Sequence, residues 1–459
     1  MTHGVAVTDG LQATNGVAAA AAGRRAVVLV GNPAAPYSRS LRIARALAGA
    51  GFSVEIAAVA ADGVPKAEAD GDVSIRRYRP IGPFASMAAT YRAAPGPAMA
   101  RRRPLRLVRA VRGAAAALRR WAFWPHTVRG WWTTIAHDLA PADLYHACGS
   151  LAIAPALAAR ERDRRQGRFS RVIYDAVDDV VNGNNLLGMP SVVRAMIRRR
   201  ERSWARAADG RTTVNDALSA TLADRWGTAA PVVVPNWPQP LAPGEPRPDH
   251  IRAALNLPPT TRIVVFQGKL GPNLGLDEAA EAVLEVPEAM FCVIGFGRGY
   301  AASLARDADP RYAGHHATLP AVHPDEIVAW MASADVAIFA APPISENQRL
   351  STPNKFWEAV AAGTPFVVGA DLSVMADLVR EHDLGVVADS LGPADLGAAV
   401  RAVLDVEPAA AAARRERIAA VARERFAWPV AEARYRSLVA GLAGDTTAGR
   451  QGQVRPAAR

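Results

Sequence analysis

The chain has 459 residues, half of them hydrophobic, and its 54 Lys and Arg against 43 Asp and Glu give a net charge of +11. That length has room for two or three domains with full cores, and no apolar run approaches the ~18–20 residues of a spanning helix, so a soluble protein is expected. Cys148 and Cys292, the only cysteines, stand too far apart in sequence for a metal cluster or a disulfide framework, which suits a reducing, cytoplasmic compartment.

Residues 1–23 are rich in Ala and Gly, lack a basic start and a continuous apolar segment, and read as a disordered segment rather than a secretion signal. A disordered tail is expected at 444–459. Residues 26–30 form an apolar strand running into a loop at 31–39, a helix follows at 40–49, and a second strand lies at 53–57. This is the opening of a doubly wound α/β domain, whose ligands approach the carboxyl ends of the strands. No G-x-G-x-x-G fingerprint follows the first strand, which argues against a dinucleotide site there.

Between 101 and 132 the chain changes character. Arg101, Arg102, Arg103, Arg106, Arg109, Arg112, Arg119 and Arg120 alternate with aliphatic residues and lead into Trp121, Phe123, Trp124, Trp131 and Trp132. One reading is a peripheral contact with an anionic membrane surface, and the other is a solvated helix whose aromatic residues pack on the sheet. Nucleic acid is not expected as a partner.

A strand at 143–148 places His146 near its carboxyl end, a position from which a side chain can meet substrate. A further strand at 171–175 runs into Asp178 and Asp179, an arginine-rich helix covers 196–207, and a Pro-rich stretch at 238–249 reads as the linker. The second half starts again with a strand at 262–266, then a glycine-rich loop at 267–276 that carries Lys269. The strand at 290–294 runs into Gly295 and Gly297, glycines that would let a ligand approach the main chain. A short strand at 317–320 and a helix at 325–332 precede the strand at 334–340.

Residues 351–365 then form the best-marked unit of the chain. Thr352 is expected as N-cap, Pro353 as the first helical residue, and Gly363 as the terminator. Lys355 stands in the first turn, where the helix dipole opposes a cation unless an anion lies in front of it. Glu358, three residues on, shares its face, while Phe356 and Val360 face a core. A phosphate seat beside a sugar-hydroxyl acceptor is one reading, and an i,i+3 surface ion pair is the other. Arginine is the default cation here, since the lysines are only Lys66, Lys269 and Lys355, and two of these fall in candidate site loops.

Gly268-Lys269-Leu270, Gly295-Phe296-Gly297, His323-Pro324-Asp325-Glu326-Ile327, and Asn354-Lys355-Phe356-Trp357-Glu358 ahead of Ala362-Gly363-Thr364-Pro365 together resemble the GT-B glycosyltransferases of family 4 type. The resemblance runs over 25–441 and is strongest over 263–387. It implies an α/β fold of two Rossmann-like, doubly wound parallel-sheet domains facing across a cleft. An acceptor-side domain would span 24–237, a nucleotide-sugar domain 250–427, and a helix at 428–443 would return to the first. It further implies a nucleotide-diphosphate sugar donor and retention of configuration, with no metal or cofactor required, while the arginine and tryptophan stretch at 101–132 suggests a glycan or lipid-linked acceptor of the cell envelope. Glu358 matches the glutamate that holds the donor ribose, and Lys269 a residue that meets the diphosphate, with Lys355 compensating for a second lysine missing near Leu274. Gly268, Gly295, Gly297 and Asn354 complete the donor-binding set, and His146 carries over loosely as a catalytic residue, with Cys148 where some relatives have a further histidine. The family's first motif glutamate would fall at Leu350, leaving its contact to Glu346 or Asn347. A nucleotide-sugar epimerase and a non-catalytic nucleotide-sugar-binding protein are the alternatives.

Overall fold

The computed structural model describes residues 23–34, 37–79, 135–244 and 246–451. The expected disordered ends over 1–22 and 452–459 and the basic, tryptophan-rich stretch at 101–132 lie outside them. The first sheet holds eight strands: β1 (Arg25–Val30), β2 (Ser53–Val59), β3 (Ala67–Asp70), β4 (Val73–Tyr78), β5 (Leu144–Cys148), β6 (Arg171–Asp175), β7 (Gly210–Thr213) and β8 (Val232–Val233). Their order is β3-β4-β2-β1-β5-β6-β7-β8. All pairs are parallel except the edge pair β3 and β4.

The second sheet contains β9 (Arg262–Lys269), β10 (Ala289–Phe296), β11 (His316–Pro320), β12 (Val336–Phe339), β13 (Phe366–Gly369) and β14 (Gly385–Ala388), ordered β11-β10-β9-β12-β13-β14 and parallel throughout. A parallel sheet is covered by its crossover helices on both faces, and its inner strands are accordingly buried along nearly their whole length. Two doubly wound parallel α/β domains are what the sequence pattern predicts. The β3–β4 hairpin and β14 carry no clear mark in the sequence.

Two boundaries differ from expectation. β9 continues through Gly268 and Lys269, paired with Gly295 and Phe296 of β10, so the lysine stands on a strand end rather than in a loop. The last helix, Trp428–Gln451, runs past the expected end at 443 and takes in residues expected to be disordered. That helix buries Ala431, Tyr435 and Val439, a four-residue spacing that makes one apolar stripe. The stripe packs on the first domain: Arg436 donates to the Gly49 carbonyl at 3.0 Å, and Leu438 and Leu442 lie against Gly210 of β7. Between β8 and the helix His250–Leu255 the described residues make no regular element, and Trp237 there meets Trp357 and Phe426 edge-on, with ring centroids 5.6 and 5.4 Å away.

Candidate active site between the domains

In the second sheet the strand order reverses between β9 and β12, and ligands of doubly wound sheets bind beside the carboxyl ends of strands at such a point. The side chain found there is Lys355. Its Nζ lies 3.8 Å from the ring centroid of Phe266 on β9 and 4.9 Å from that of Phe339 on β12. The two rings present their negative faces to the ammonium group. Gly268 makes this approach possible: its φ is +124°, and a Cβ on it would stand 3.3 Å from Lys355 Nζ.

Lys355 comes from the helix Asn354–Ala361, whose start differs from expectation. Pro353 is the N-cap, with φ −67° and ψ 155°, and no side chain caps the helix. Thr352 is diverted toward the first domain, where its Oγ1 accepts from Asn215 Nδ2 at 3.4 Å. The helix buries Phe356, Trp357, Ala359, Val360 and Ala361, while Lys355 and Glu358 keep part of their surface open.

Both charges are costly where they stand. Burial, partly countered by Glu358, lowers the Lys355 pKa to about 7. Burial likewise raises that of Glu358 to about 7, against the pull of Arg42 and Lys355. Glu358 Oε2 is buried and accepts no hydrogen bond, a condition that costs about 1–3 kcal/mol. A polar group left in that condition marks a place where a donor can be received.

Lys269, exposed, ends the same strand. Its Cγ would lie 3.4 Å from a Cβ on Gly297, so the side chain runs along the turn after β10 while Lys355 lies over Gly268. The fold brings Gly268, Lys269, Lys355 and Glu358 to one end of β9. Gly295 and Gly297 belong to the same corner but serve differently from expectation. A Cβ on Gly295 would collide with the Gly268 carbonyl, and one on Gly297 would stand 2.9 Å from the Leu270 carbonyl. These glycines let the ends of β9 and β10 close on each other, so the space they leave is filled by main chain and not by a ligand.

The first domain closes the other side. Arg42 donates through Nη1 to the Asn236 carbonyl at 2.9 Å and to Asn236 Oδ1 at 2.7 Å. Burial lowers its pKa to about 10, and the charge that counters this most is Glu358 of the second domain. Asn236 Nδ2 in turn donates to Ser38 Oγ at 3.0 Å and to Asn354 Oδ1 at 3.1 Å, which makes Asn354 an interdomain contact rather than a free donor-binding group. Asn215 donates to the Leu350 carbonyl at 2.8 Å. Asn347 accepts from the Asp179 N–H at 2.6 Å and donates to Asp178 Oδ1 at 3.1 Å. Arg42, Asn215 and Asn236 carry no distinguishing mark in the sequence, where Arg42 is one of three arginines on a helix.

His146 does not reach this cleft. Alternation along β5 turns it to the same face as Leu144 and Cys148, beneath the last helix, and it is fully buried. Its Nδ1 pairs with the Tyr435 hydroxyl at 3.0 Å, and its Nε2 stands 3.5 Å from Asp175 Oδ2. Both Asp175 oxygens accept from Arg39 at 2.6 Å, and Thr212 Oγ1 adds a bond at 2.8 Å. Burial works to raise the Asp175 pKa, and the Arg39 guanidinium overcomes it and holds the carboxyl well below the usual range. His146, Cys148 and Asp175 offer atoms within 4.8 Å of one another, yet the carboxylate already neutralises a cation in Arg39. The expected catalytic histidine is part of a buried strut.

Residues 261–405 match the family model described as Glycosyl transferases group 1. The matched stretch falls within the second domain, from the first residues of β9 to beyond β14. No curated protein matches the chain. Among solved structures it is similar to sucrose-phosphate synthase from Thermosynechococcus elongatus, with 16% identity, 92% of this chain and 100% of that one covered, and a TM-score of 0.59. It is also similar to an alpha,alpha-trehalose-phosphate synthase (UDP-forming) from Burkholderia xenovorans, with 14% identity, coverage of 90% and 99%, and a TM-score of 0.60. The Anabaena protein HepE, solved with UDP and glucose, shares 14% identity over 91% of this chain and 100% of its own, with a TM-score of 0.58. Together with the two parallel sheets, these likenesses make the fold GT-B.

Proposed function

We propose that the chain is a retaining glycosyltransferase that moves a sugar from a nucleotide-diphosphate donor to a glycan or lipid-linked acceptor, with no resident metal. The observation that carries this reading is the unpartnered Glu358 carboxylate beside Lys355 at the β9/β12 switch point, with Lys269 on the same strand end. Ribose hydroxyls would donate to Glu358 Oε2, and the diphosphate would lie between Lys355 and Lys269. The charge that grows on the departing diphosphate is then met by two cations in a cleft shielded by both domains, which stabilises the transition state more than the ground state. The donor phosphate takes the acceptor's proton, so the protein needs no nucleophile. Similarity to a UDP-forming synthase and to a protein solved with UDP and glucose supports a uridine nucleotide as the first donor to test.

Leu350 lacks the carboxylate that would meet the donor sugar. Asn347 is committed to Asp178 and Asp179, whereas Glu346, exposed in the first turn of the helix Glu346–Leu350, makes no hydrogen bond or ion pair with a described residue and is the group assigned to that role. The basic stretch at 101–132 motivates a cell-envelope acceptor and peripheral attachment to the cytoplasmic face of a membrane.

A thermal-shift screen of nucleotides and nucleotide sugars tests the reading, because a ligand that binds the folded state alone raises the melting temperature. A nucleoside diphosphate should stabilise the wild type, and Glu358→Gln should reduce that shift. Equal shifts in both proteins would remove Glu358 from the donor site.

A further inference from the structure

The first domain carries a second feature that the donor site does not use. Val181, Leu186, Val193 and Ile197, with Met189 packed on them, form a small core separate from the rest. Immediate neighbours of these residues point outward: Leu187 is 45% exposed, Val192 64% and Met196 65%. Val192 and Met196 are four residues apart on the helix Ser191–Ala207, and Arg199, three further on, continues the same face. Arg198 and Arg199 are exposed and make no ion pair with a described residue. The helix's only acid, Glu201, is 1% exposed and turned inward to accept from the Tyr174 hydroxyl at 3.2 Å. Apolar tips and free cations therefore share the outer surface, and the one negative charge has been withdrawn from it.

We infer that this outer face, made by Leu187, Val192, Met196 and Arg199 with Arg198 at its flank, docks on an anionic phospholipid surface. Aliphatic tips enter the acyl boundary while guanidinium groups stay at the phosphates, and the net charge of +11 draws the whole molecule toward the same surface. A folded protein partner fits less well: three exposed apolar side chains fall far short of the ~1,000 Å² that a stable interface needs. Placement strengthens the assignment. The loop leading into this core carries Asp178, Asp179 and Asn182, the groups that hold Asn347 of the second domain, so the docked face adjoins the mouth of the interdomain cleft. A bilayer seated there would present a lipid-borne acceptor to the site. The docking itself stands independently of the glycosyl-transfer reading.

The test is flotation of the full chain with vesicles of phosphatidylcholine containing about a third phosphatidylglycerol, at low salt. The wild type should float, and Val192→Glu with Met196→Glu should lower the bound fraction about tenfold or more while leaving the melting temperature unchanged, since both side chains are exposed. Arg198→Glu with Arg199→Glu should do the same, and high salt should weaken wild-type binding. Binding that survives both pairs of substitutions would place the contact elsewhere in the chain and overturn the inference. Failure of the wild type to float would overturn it as well, and so would a wild-type dimer in light scattering that the Val192→Glu/Met196→Glu protein loses, which would make the occupant a second copy.

Discussion

Two groups of buried charge, one in each domain, show opposite solutions to the same physical problem. In the first domain Arg39, Asp175, Thr212, His146 and Tyr435 link β5, β6 and β7 to the first and last helices, and every charge has a close partner. In the second, Lys355 rests on aromatic rings and Glu358 leaves an oxygen without a donor, so burial draws the pKa values of both toward about 7. Paired charges move away from neutrality and act as struts. Charges left short of partners move toward it, and this is the behaviour expected of groups that await a ligand.

The sharpest way to break the comparison is to remove one member of each group. Asp175→Ala leaves the Arg39 guanidinium buried with only the Val234 carbonyl for company, and breaking a buried pair from one side costs about 3–5 kcal/mol. Denaturant unfolding should show that loss. Lys355→Met should behave in the opposite way, because it removes a desolvated amine: stability stays the same or rises, while turnover falls about 10²–10³-fold, the usual effect of removing one stabiliser of developing charge. Combined with Lys269→Ala the loss should be complete. A double variant with full activity would place the chemistry elsewhere.

Acidity sharpens the same contrast. Glu358, raised from 4.5 to about 7, favours the folded state fully below pH 4.5, and that contribution is lost as pH rises to about 7. Lys355, lowered from 10.5 to about 7, favours the folded state above pH 10.5, and its contribution is lost as pH falls to about 7. The unliganded pair is therefore least favourable near neutrality. Unfolding free energies of wild type and Glu358→Gln should approach each other at pH 4.5 and separate toward pH 7, with the wild type the weaker. Saturating nucleoside diphosphate should narrow the gap, and parallel pH profiles would mean that Glu358 is already well solvated.

What the sequence made legible follows from which signals are local. Continuous apolar strands ending in Gly, and a helix opened by Pro353 and closed by Gly363, are written in neighbouring residues, so both sheets and the helix bearing Lys355 could be anticipated. The scarcity of lysine also singled out Lys269 and Lys355. The start of that helix departs from its local signal because Thr352 has a long-range partner in Asn215. Arg42 and Asn236 were invisible because nothing beside them in the chain reports a partner nearly two hundred residues away or in another domain. His146 misled for a related reason: strand position told which end it occupied, but only the returning helix, which supplies Tyr435, decides that its face is covered.

Tyr435→Phe offers the finest test, because it removes one hydroxyl and keeps the ring that packs on His146, whose centroid lies 5.4 Å away. The substitution leaves His146 Nδ1 buried without its partner, which should cost about 1–3 kcal/mol in denaturant unfolding. Turnover should not change, since neither ring reaches the cleft. Were His146 a proton carrier for the reaction, loss of this bond would move the pH profile of turnover. A profile that stays fixed while stability falls separates a strut from a catalytic group, and one that moves would return His146 to the active site despite its burial.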